Sequence, residues 1–410
     1  MGSWDVYCAI CGGPTIDVEV ARKPRTQRFK RRRAREAAKR KAENMPDNHP
    51  VHFPSDTETM EERETRKAAG EALSSEDDSD SGESLCSEEE DSTYDPEILS
   101  EEDAAWTRSI KVLGCSPGEP TEEKVFITGD YHYTNYGRVE AQDTEPDSNV
   151  EALDLACYYD YTGSSTVVFP FHPCCWELLV RRITGGTDFY QLNKAALYNI
   201  MTGLSSECSQ RLALDYGNPC PQDEQFWGSF PGEEIFAKQP TGDGTFEALV
   251  RTAISSNEFR LPAWHPEEDR LTSIRSGRDV FRAVPYDIIY QITELTPTSA
   301  VLALCKASRV VHALLRGNVG FWRHRIAREL PWFYELIPLM SDPERVSDLN
   351  LTKVLSWARK VSEPRLGMSG PFMSLANRRR IWTVCEQLAE LYRKQTSESN
   401  EAALRATDDV

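Results

Sequence analysis

Two short clusters of cysteine and histidine have the composition of a metal site. Near the start of the chain, Cys8-Ala9-Ile10-Cys11 is a C-x-x-C pair, followed by glycines and a proline that suit a tight turn. Much later, His172-Pro173-Cys174-Cys175 offers a second pair, with His172 joined by either Cys174 or Cys175. Structural zinc takes four nitrogen or sulfur ligands in a tetrahedron. Together the two pairs predict a closed structural zinc site with no position for catalytic water.

The second pair falls where a strand is predicted to end and a helix to begin. The run 166–169 is β-branched and aromatic, which favours a buried strand. Free N–H groups at a helix N-terminus favour a thiolate, so the predicted ligands are Cys8, Cys11, His172 and Cys175, the last because it opens the helix. Cys11 and His172 are 161 positions apart, far beyond the usual finger spacing. Ordinary reduced cysteines around a structural histidine therefore remain the alternative.

Two helices are predicted to follow and to hold this region in place. The first has a stripe of apolar residues and ends at Gly185-Gly186, and the second runs near 190–204. The stripe of the first helix is formed by Trp176, Leu179, Val180 and Ile183.

Between the two clusters the composition changes abruptly. Residues 21–41 contain twelve Lys or Arg and one Glu, whereas residues 71–103 contain fifteen Asp or Glu and no Lys or Arg. Such a segment cannot bury enough apolar surface to offset its chain entropy, so we expect residues 21–103 to be a disordered insert. The basic block has the density of a nuclear import signal, although a solvated basic tract has the same composition.

The overall composition excludes several classes of protein. A net charge of −19 argues against general binding of nucleic acids, because phosphate repels an acidic chain. No apolar run approaches 18 residues, so no membrane helix is expected. The start of the chain lacks the pattern of a secretory signal, and eleven cysteines are then expected to be reduced thiols or metal ligands. These features predict a protein of the nucleus or cytoplasm.

A helical region extends over residues 281–326. Pro285 suits a helix start, and Pro297 ends the helix after an apolar stripe. A second helix is predicted around 301–305, and a last one around Trp322. Three short helices cannot bury all their apolar stripes among themselves, so a partner is expected unless the rest of the chain covers them. The stripe of the first helix consists of Ile288, Ile289, Ile292 and Leu295.

The order of residues in this region resembles the F-box, with Val-Pro-x-Asp-Ile-Ile, a second helix leading to Ser-Arg, and a closing Trp. The positions that match are Val284, Pro285, Asp287, Ile288, Ile289, Ile292, Leu295, Leu304, Ser308, Arg309 and Trp322. Val284 stands where the F-box has Leu, and Val311 stands where Trp or Phe is common.

A wider likeness to a family of fungal F-box proteins rests on runs of residues outside the box. These runs are Tyr7–Pro14, Phe169–Trp176, Leu214–Gly217, Leu330–Glu335 and Asn377–Trp382. The resemblance implies a substrate receptor that binds an unknown protein substrate and a Skp-type adaptor. Through that adaptor the substrate would be brought to a cullin ubiquitin ligase. The implied partner-binding residues are Val284, Pro285, Ile288, Ile289, Ile292, Leu295, Leu304, Ser308 and Trp322.

No motif for a known catalytic or nucleotide-binding loop occurs, which favours a protein without enzymatic activity. The competing hypothesis is a zinc-stabilised interaction scaffold that acts outside a ubiquitin ligase. After the box, a helix is predicted over 378–392 with Asn377 as its cap, and Arg378, Arg379 and Arg380 are expected to be solvated at its start.

The predicted fold class is α+β, with short strands and helices first and a mainly helical C-terminal half. The expected domains are a zinc-knuckle-like segment over 1–20, the insert over 21–103, and a mixed α/β domain over 104–280 that completes the metal site. The box over 281–326 and a helical region over 327–410 follow.

Overall fold

The computed structural model describes residues 4–22, 93–133, 137–141, 155–160, 166–188, 191–206, 210–217, 225–242, 246–261, 279–342, 346 and 348–408. Residues 23–92, most of the predicted insert, lie outside this set, so the structure does not test the expectation of disorder there. The chain divides into a first unit, Met1–Thr241 with Pro364–Val410, and a second unit, Gly242–Glu363. The α+β class is confirmed, and no helix among the described residues has the length and apolar character to cross a membrane.

The first unit contains a five-stranded antiparallel sheet. Its strands are β1 (Ile110–Cys115), β2 (Val125–Tyr133), β3 (Arg138–Ala141), β4 (Leu155–Ala156) and β5 (Phe169–Phe171), in the order β4-β3-β2-β1-β5. Strand β5 lies at the edge of the sheet beside β1, and this edge position tolerates Pro170, which has no N–H to donate. The strand predicted over 166–169 begins at Phe169, three residues after its predicted start.

Helices flank this sheet. A four-residue helix α1 (Glu101–Ala104) precedes β1, and α2 (Pro173–Thr184) and α3 (Lys194–Leu204) follow β5. Gly185 ends α2 with a left-handed φ of 78°, as its sequence predicts. The helix predicted from residue 190 begins at Lys194, where the Asn193 side chain accepts from the Ala196 N–H.

Residues 93–103 are folded, which corrects the predicted limits of the insert. Tyr94 and Leu99 are fully buried in a core cluster with Tyr7 and Phe236. The backbone of Tyr94 pairs with the segment just before the insert, through a bridge to Val20. The sequence did not indicate this short buried stretch, because its few apolar side chains lie among acidic neighbours.

The second unit is mainly helical. Its helices are α4 (Phe246–Ile254), α5 (Tyr286–Leu295), α6 (Thr298–Ala307), α7 (Arg309–Leu315), α8 (Val319–Glu329), α9 (Leu336–Leu339) and α10 (Leu351–Val361). The region 281–326, which the sequence predicts as three helices, thus contains four, α5 to α8. Ser308 separates α6 from α7, because its backbone is extended and its side chain accepts from the Val311 N–H.

The last helix, α11 (Met373–Asp408), belongs to the first unit, where it packs against α2 and α3. The predicted helical region over 327–410 is therefore divided between the two units, and the predicted domain over 104–280 loses residues 242–280 to the second unit. Helix α11 begins at Met373, four residues before the predicted cap Asn377, which lies inside the helix and is buried.

Candidate functional site

The first ligand pair lies on a tight backbone turn. The Cys8 N–H donates to the Gly13 carbonyl (2.9 Å), and the Gly12 N–H donates to the Cys8 carbonyl (2.8 Å). Gly12 has a φ of +66°, and a Cβ there would come within 2.6 Å of the Tyr216 ring. Only glycine combines this φ with this close approach, which explains its place directly after Cys11.

The second pair lies at the junction of β5 and α2. His172 is the N-cap residue of α2 with extended backbone, Pro173 is the first helical residue, and Cys175 lies in the first turn. The helix begins at Pro173, two residues before the Cys175 that was expected to open it, because proline is well suited to the first helical position. The Ala9 N–H donates to the Pro170 carbonyl (2.7 Å) and so attaches the Cys8–Cys11 turn to strand β5.

The structure brings all four predicted metal ligands together. The ligand atoms of Cys8, Cys11, His172 and Cys175 lie within 4.8 Å of one another, and all four residues are fully buried. His172 Nδ1 is 3.5 Å from the Cys11 Sγ and 3.8 Å from the Cys175 Sγ. In a tetrahedral site with Zn–S bonds of about 2.3 Å, ligand atoms are about 3.8 Å apart, so these separations fit.

The structure also decides which of two adjacent cysteines belongs to the group. Cys175 points into it, whereas Cys174 is partly exposed and outside. Within the described part of the chain, no second group of His, Cys, Asp or Glu side chains meets the same geometry.

The imidazole of His172 is oriented for metal binding through Nδ1. Its Nε2 lies 2.9 Å from the Pro14 carbonyl and 3.0 Å from the Thr107 carbonyl, and such acceptors require the proton on Nε2. The Trp106 ring packs edge-on against the imidazole, with centroids 4.5 Å apart. Backbone carbonyls commonly hold metal-binding histidines in this manner, since they fix both the tautomer and the ring orientation.

The thiols and the imidazole are electrostatically coupled. Burial acts to raise the pKa of the Cys8 thiol, but hydrogen bonds from Cys11 and Cys175 and the charge of His172 place it well below its usual range. Burial acts to lower the pKa of His172, and the charges of Cys8 and Cys11 instead raise it. The group thus favours a thiolate at Cys8, and a thiolate is the form that binds a metal.

These residues form a buried Cys₃His cluster that can hold a metal ion. No protein-family model, curated protein or solved structure matches this chain. Four protein ligands fill a tetrahedron and leave no position for a reactive water, so the arrangement suits a structural metal.

The predicted partner-binding residues divide into exposed and buried sets. Ile288 and Ile292 are each 40% exposed, and Leu295 is 88% exposed. Pro285 is exposed, and Val284 and Leu304 are half-buried. Three of the predicted positions are buried in this conformation. The three buried residues are Ile289, Ser308 and Trp322.

The division follows from the helical geometry of α5. Ile288, Ile292 and Leu295 are spaced i, i+4 and i+7 and share one face, which we call the α5 face. Ile289 lies about 100° around the helix, and its side chain is only 1% exposed. The sequence pattern therefore contains two stripes, and only one of them packs inside the second unit.

Buried arginines, which the sequence placed in solvent, are the main feature that sequence reasoning missed. Arg378 and Arg380 are 0% and 4% exposed. The Arg378 guanidinium donates to the carbonyls of Pro240 (2.7 Å) and Thr241 (3.0 Å). A signal was present, because Arg378 is three residues before the buried Ile381 and seven before Cys385, on the same helical face.

Proposed function

We propose that this protein is an F-box substrate receptor, in which the second unit binds a Skp-type adaptor of a cullin ubiquitin ligase. The observation that carries the proposal is the α5 face, three large aliphatic side chains left in solvent on one helix. Full burial of an aliphatic side chain is worth about 1.5–3 kcal/mol, so such a face supplies a large part of an interface once it is covered.

Hydrogen bonds from α8 anchor the C-terminal end of α5, which supports a binding role for the α5 face. The fully buried Arg325 on α8 donates from Nη1 to the Thr293 carbonyl (2.7 Å) and from Nη2 to the Thr296 carbonyl. These carbonyls belong to the C-terminal end of α5, where free carbonyls need donors. A face fixed before binding loses little conformational entropy when a partner covers it.

Binding to a purified Skp-type adaptor tests this proposal. Wild-type protein and adaptor are mixed at tens of micromolar, and complex formation is measured by gel filtration and calorimetry. Ile288→Asp places a charge on the α5 face, and burying an unpaired carboxylate costs several kcal/mol. At 1.4 kcal/mol per tenfold, we expect the affinity to fall by more than about a hundredfold.

The matched control is Ile337→Asp on α9, because Ile337 is 42% exposed and lies outside the box. Circular dichroism spectra of both variants verify folding. Absence of a complex with folded wild-type protein contradicts the F-box proposal and favours the alternative, an interaction scaffold outside a ubiquitin ligase. An equal loss of affinity in both variants shows that the α5 face is not the contact.

The Cys₃His cluster is proposed to hold a structural zinc ion. Three sulfurs and one nitrogen are a common ligand set for structural zinc, and a reducing compartment, the nucleus or cytoplasm, keeps such thiols available. Elemental analysis of purified protein is expected to find one zinc per chain. Less than half an equivalent, with none regained on addition of zinc, contradicts the proposal.

A further inference from the structure

The guanidinium of Arg380 is buried with neutral hydrogen-bond partners. Its Nη1 donates to the carbonyls of Cys11 (2.7 Å) and Tyr216 (3.0 Å), and its Nε donates to the Asn377 side-chain oxygen (3.0 Å). The ring of Phe236 lies 5.1 Å from the guanidinium carbon. Among the described residues, no carboxylate lies within ion-pair distance of this charge.

A buried charge of this kind needs a compensating charge. Removing an ion from water costs several kcal/mol, and hydrogen bonds to neutral groups recover only part of that cost. The Nη1 hydrogen bond to the Cys11 carbonyl (2.7 Å) holds the guanidinium directly beside one of the four candidate metal ligands. The negative charge available to Arg380 is therefore that of the metal-ligand cluster.

The charges balance when the cluster is loaded with a divalent ion. Three thiolates contribute three negative charges, a divalent ion two positive charges, and a neutral imidazole none, which leaves one negative charge. The guanidinium of Arg380 cancels this charge. A monovalent ion would leave one uncancelled negative charge in the protein interior.

Resting on the proposed metal centre, we infer that Arg380 is a positioning residue that neutralises a divalent metal–thiolate cluster from the C-terminal helix. The contact has a second consequence, because Arg380 also holds the carbonyl of Cys11 and so fixes the ligand turn. Metal binding at the start of the chain is thereby coupled to the packing of α11.

Zinc affinity of Arg380 variants tests this inference. Full-length wild-type protein, Arg380→Gln and Arg378→Gln are each titrated against a chelator that competes for zinc. Arg380→Gln keeps hydrogen-bond donors but removes the charge, and loss of a group next to the ligands typically weakens metal affinity about 10- to 100-fold. Arg378→Gln is the matched control, because Arg378 is also buried in α11 but donates to the carbonyls of Pro240 and Thr241.

A spectroscopic readout separates charge compensation from general loosening of the fold. Each protein is loaded with Co²⁺, and the sulfur-to-cobalt charge-transfer band is recorded. We expect this band to shift in Arg380→Gln and to stay unchanged in Arg378→Gln. Wild-type zinc affinity and an unshifted band in Arg380→Gln overturn the inference, as does an equal loss of affinity in both variants.

Arg380→Lys provides an independent measurement, and decides the matter if Arg380→Gln does not fold. Lysine keeps the charge and loses the forked hydrogen bonds. Charge compensation is supported if the zinc affinity of Arg380→Lys stays within about threefold of wild type. Loss of a group next to the ligands typically weakens zinc affinity by about tenfold or more. A loss of tenfold or more in Arg380→Lys contradicts charge compensation, since the charge is still present. If wild-type protein binds no zinc, the proposed metal centre itself fails, an outcome distinct from these.

Discussion

The backbone N–H of Ala21 donates to the carbonyl of Tyr94 (3.0 Å), and the N–H of Tyr94 donates to the carbonyl of Glu19 (2.8 Å). The chain thus leaves the folded first unit and returns to it at one place. Residues 23–92 connect two points that already lie side by side, and closing a loop of any length costs only logarithmically in entropy.

Replacing residues 23–92 with a short glycine-serine linker is therefore expected to leave the first unit folded. Its melting temperature should change by less than about 5 °C, which corresponds to roughly 2 kcal/mol for a domain of this size. The informative comparison is deletion of residues 21–103, which removes the fully buried Tyr94 and Leu99 and should unfold the unit. Thermal unfolding of the linker variant and of the 21–103 deletion is followed by circular dichroism. A similar drop in melting temperature in the two variants would show that residues 23–92 contribute to the fold.

Removal of the metal is expected to destabilise the first unit. Zinc binding contributes about 10–16 kcal/mol to folding in finger peptides, so a chelator should lower the melting temperature, and added zinc should restore it. Cys175→Ser is expected to lose zinc and to melt at the chelated temperature. Cys174→Ser changes the neighbouring residue, which lies outside the cluster, and should retain both zinc and stability. Loss of zinc in Cys174→Ser but not in Cys175→Ser would mean that Cys174 is the ligand.

Gly12→Ala should destabilise the first unit by about 1–3 kcal/mol, the range for a residue held in an unfavourable backbone region. The left-handed φ of Gly12 and the Tyr216 ring 2.6 Å from the added methyl carbon both oppose alanine. Gly203→Ala is the opposite case, because Gly203 lies in α3 with open space around it. Alanine there should stabilise by roughly 0.5–1 kcal/mol, so chemical denaturation of the two variants should give changes of opposite sign.

Substitutions of Ile289 and Leu295 on α5 should have separate effects, the first on the free energy of unfolding and the second on partner binding. Ile289→Ala removes a side chain that is 1% exposed and should cost about 2–5 kcal/mol of unfolding free energy. Leu295→Ala changes a side chain that is 88% exposed and should stay within about 0.5 kcal/mol of wild type, yet weaken binding to the Skp-type adaptor. Denaturation and calorimetry on the same samples test this, and unchanged adaptor affinity for Leu295→Ala would remove it from the interface.

Asp279 should make the stability of the second unit depend on pH in the acid range. Partial desolvation raises the pKa of Asp279, but hydrogen bonds from the Ser308 hydroxyl and the N–H groups of Val310 and Phe281 outweigh it and lower the pKa. A lowered folded-state pKa gives stability that is present above the unfolded value of about 4 and is lost as the pH falls through the folded-state pKa.

Asp279→Asn removes the charge that strengthens these hydrogen bonds, so it is expected to lose about 1 kcal/mol at pH 7 and to show a smaller further loss below pH 4 than wild type does. Glu363→Gln changes an exposed carboxylate in the same unit and serves as the control. Urea unfolding across pH 2.5–7 provides the comparison. A wild-type loss on acidification that Asp279→Asn shares in full would assign the pH dependence to other groups.

Local sequence determined the parts of this protein that depend on near neighbours. The C-x-x-C turn followed by Gly12, the end of α2 at Gly185, and the helix starts at Pro285 and Ser308 each follow from backbone preferences that act within a few residues. The identity of the four metal ligands was also predicted, because few residue types bind zinc and the chain offers them in two pairs.

Only the tertiary structure decided what depends on distant contacts. The sequence named the four ligands but left ordinary reduced cysteines as an alternative, and only the folded chain brings Cys11 beside His172. Nor could the sequence separate the exposed Ile288 from the buried Ile289, because that outcome depends on which side of the helix meets the core. It also placed Arg380 in solvent, since an arginine near a helix start is normally exposed. Burial of that arginine requires a charge partner, and the candidate partner is a cluster whose nearest member in sequence, Cys175, is about 200 residues away.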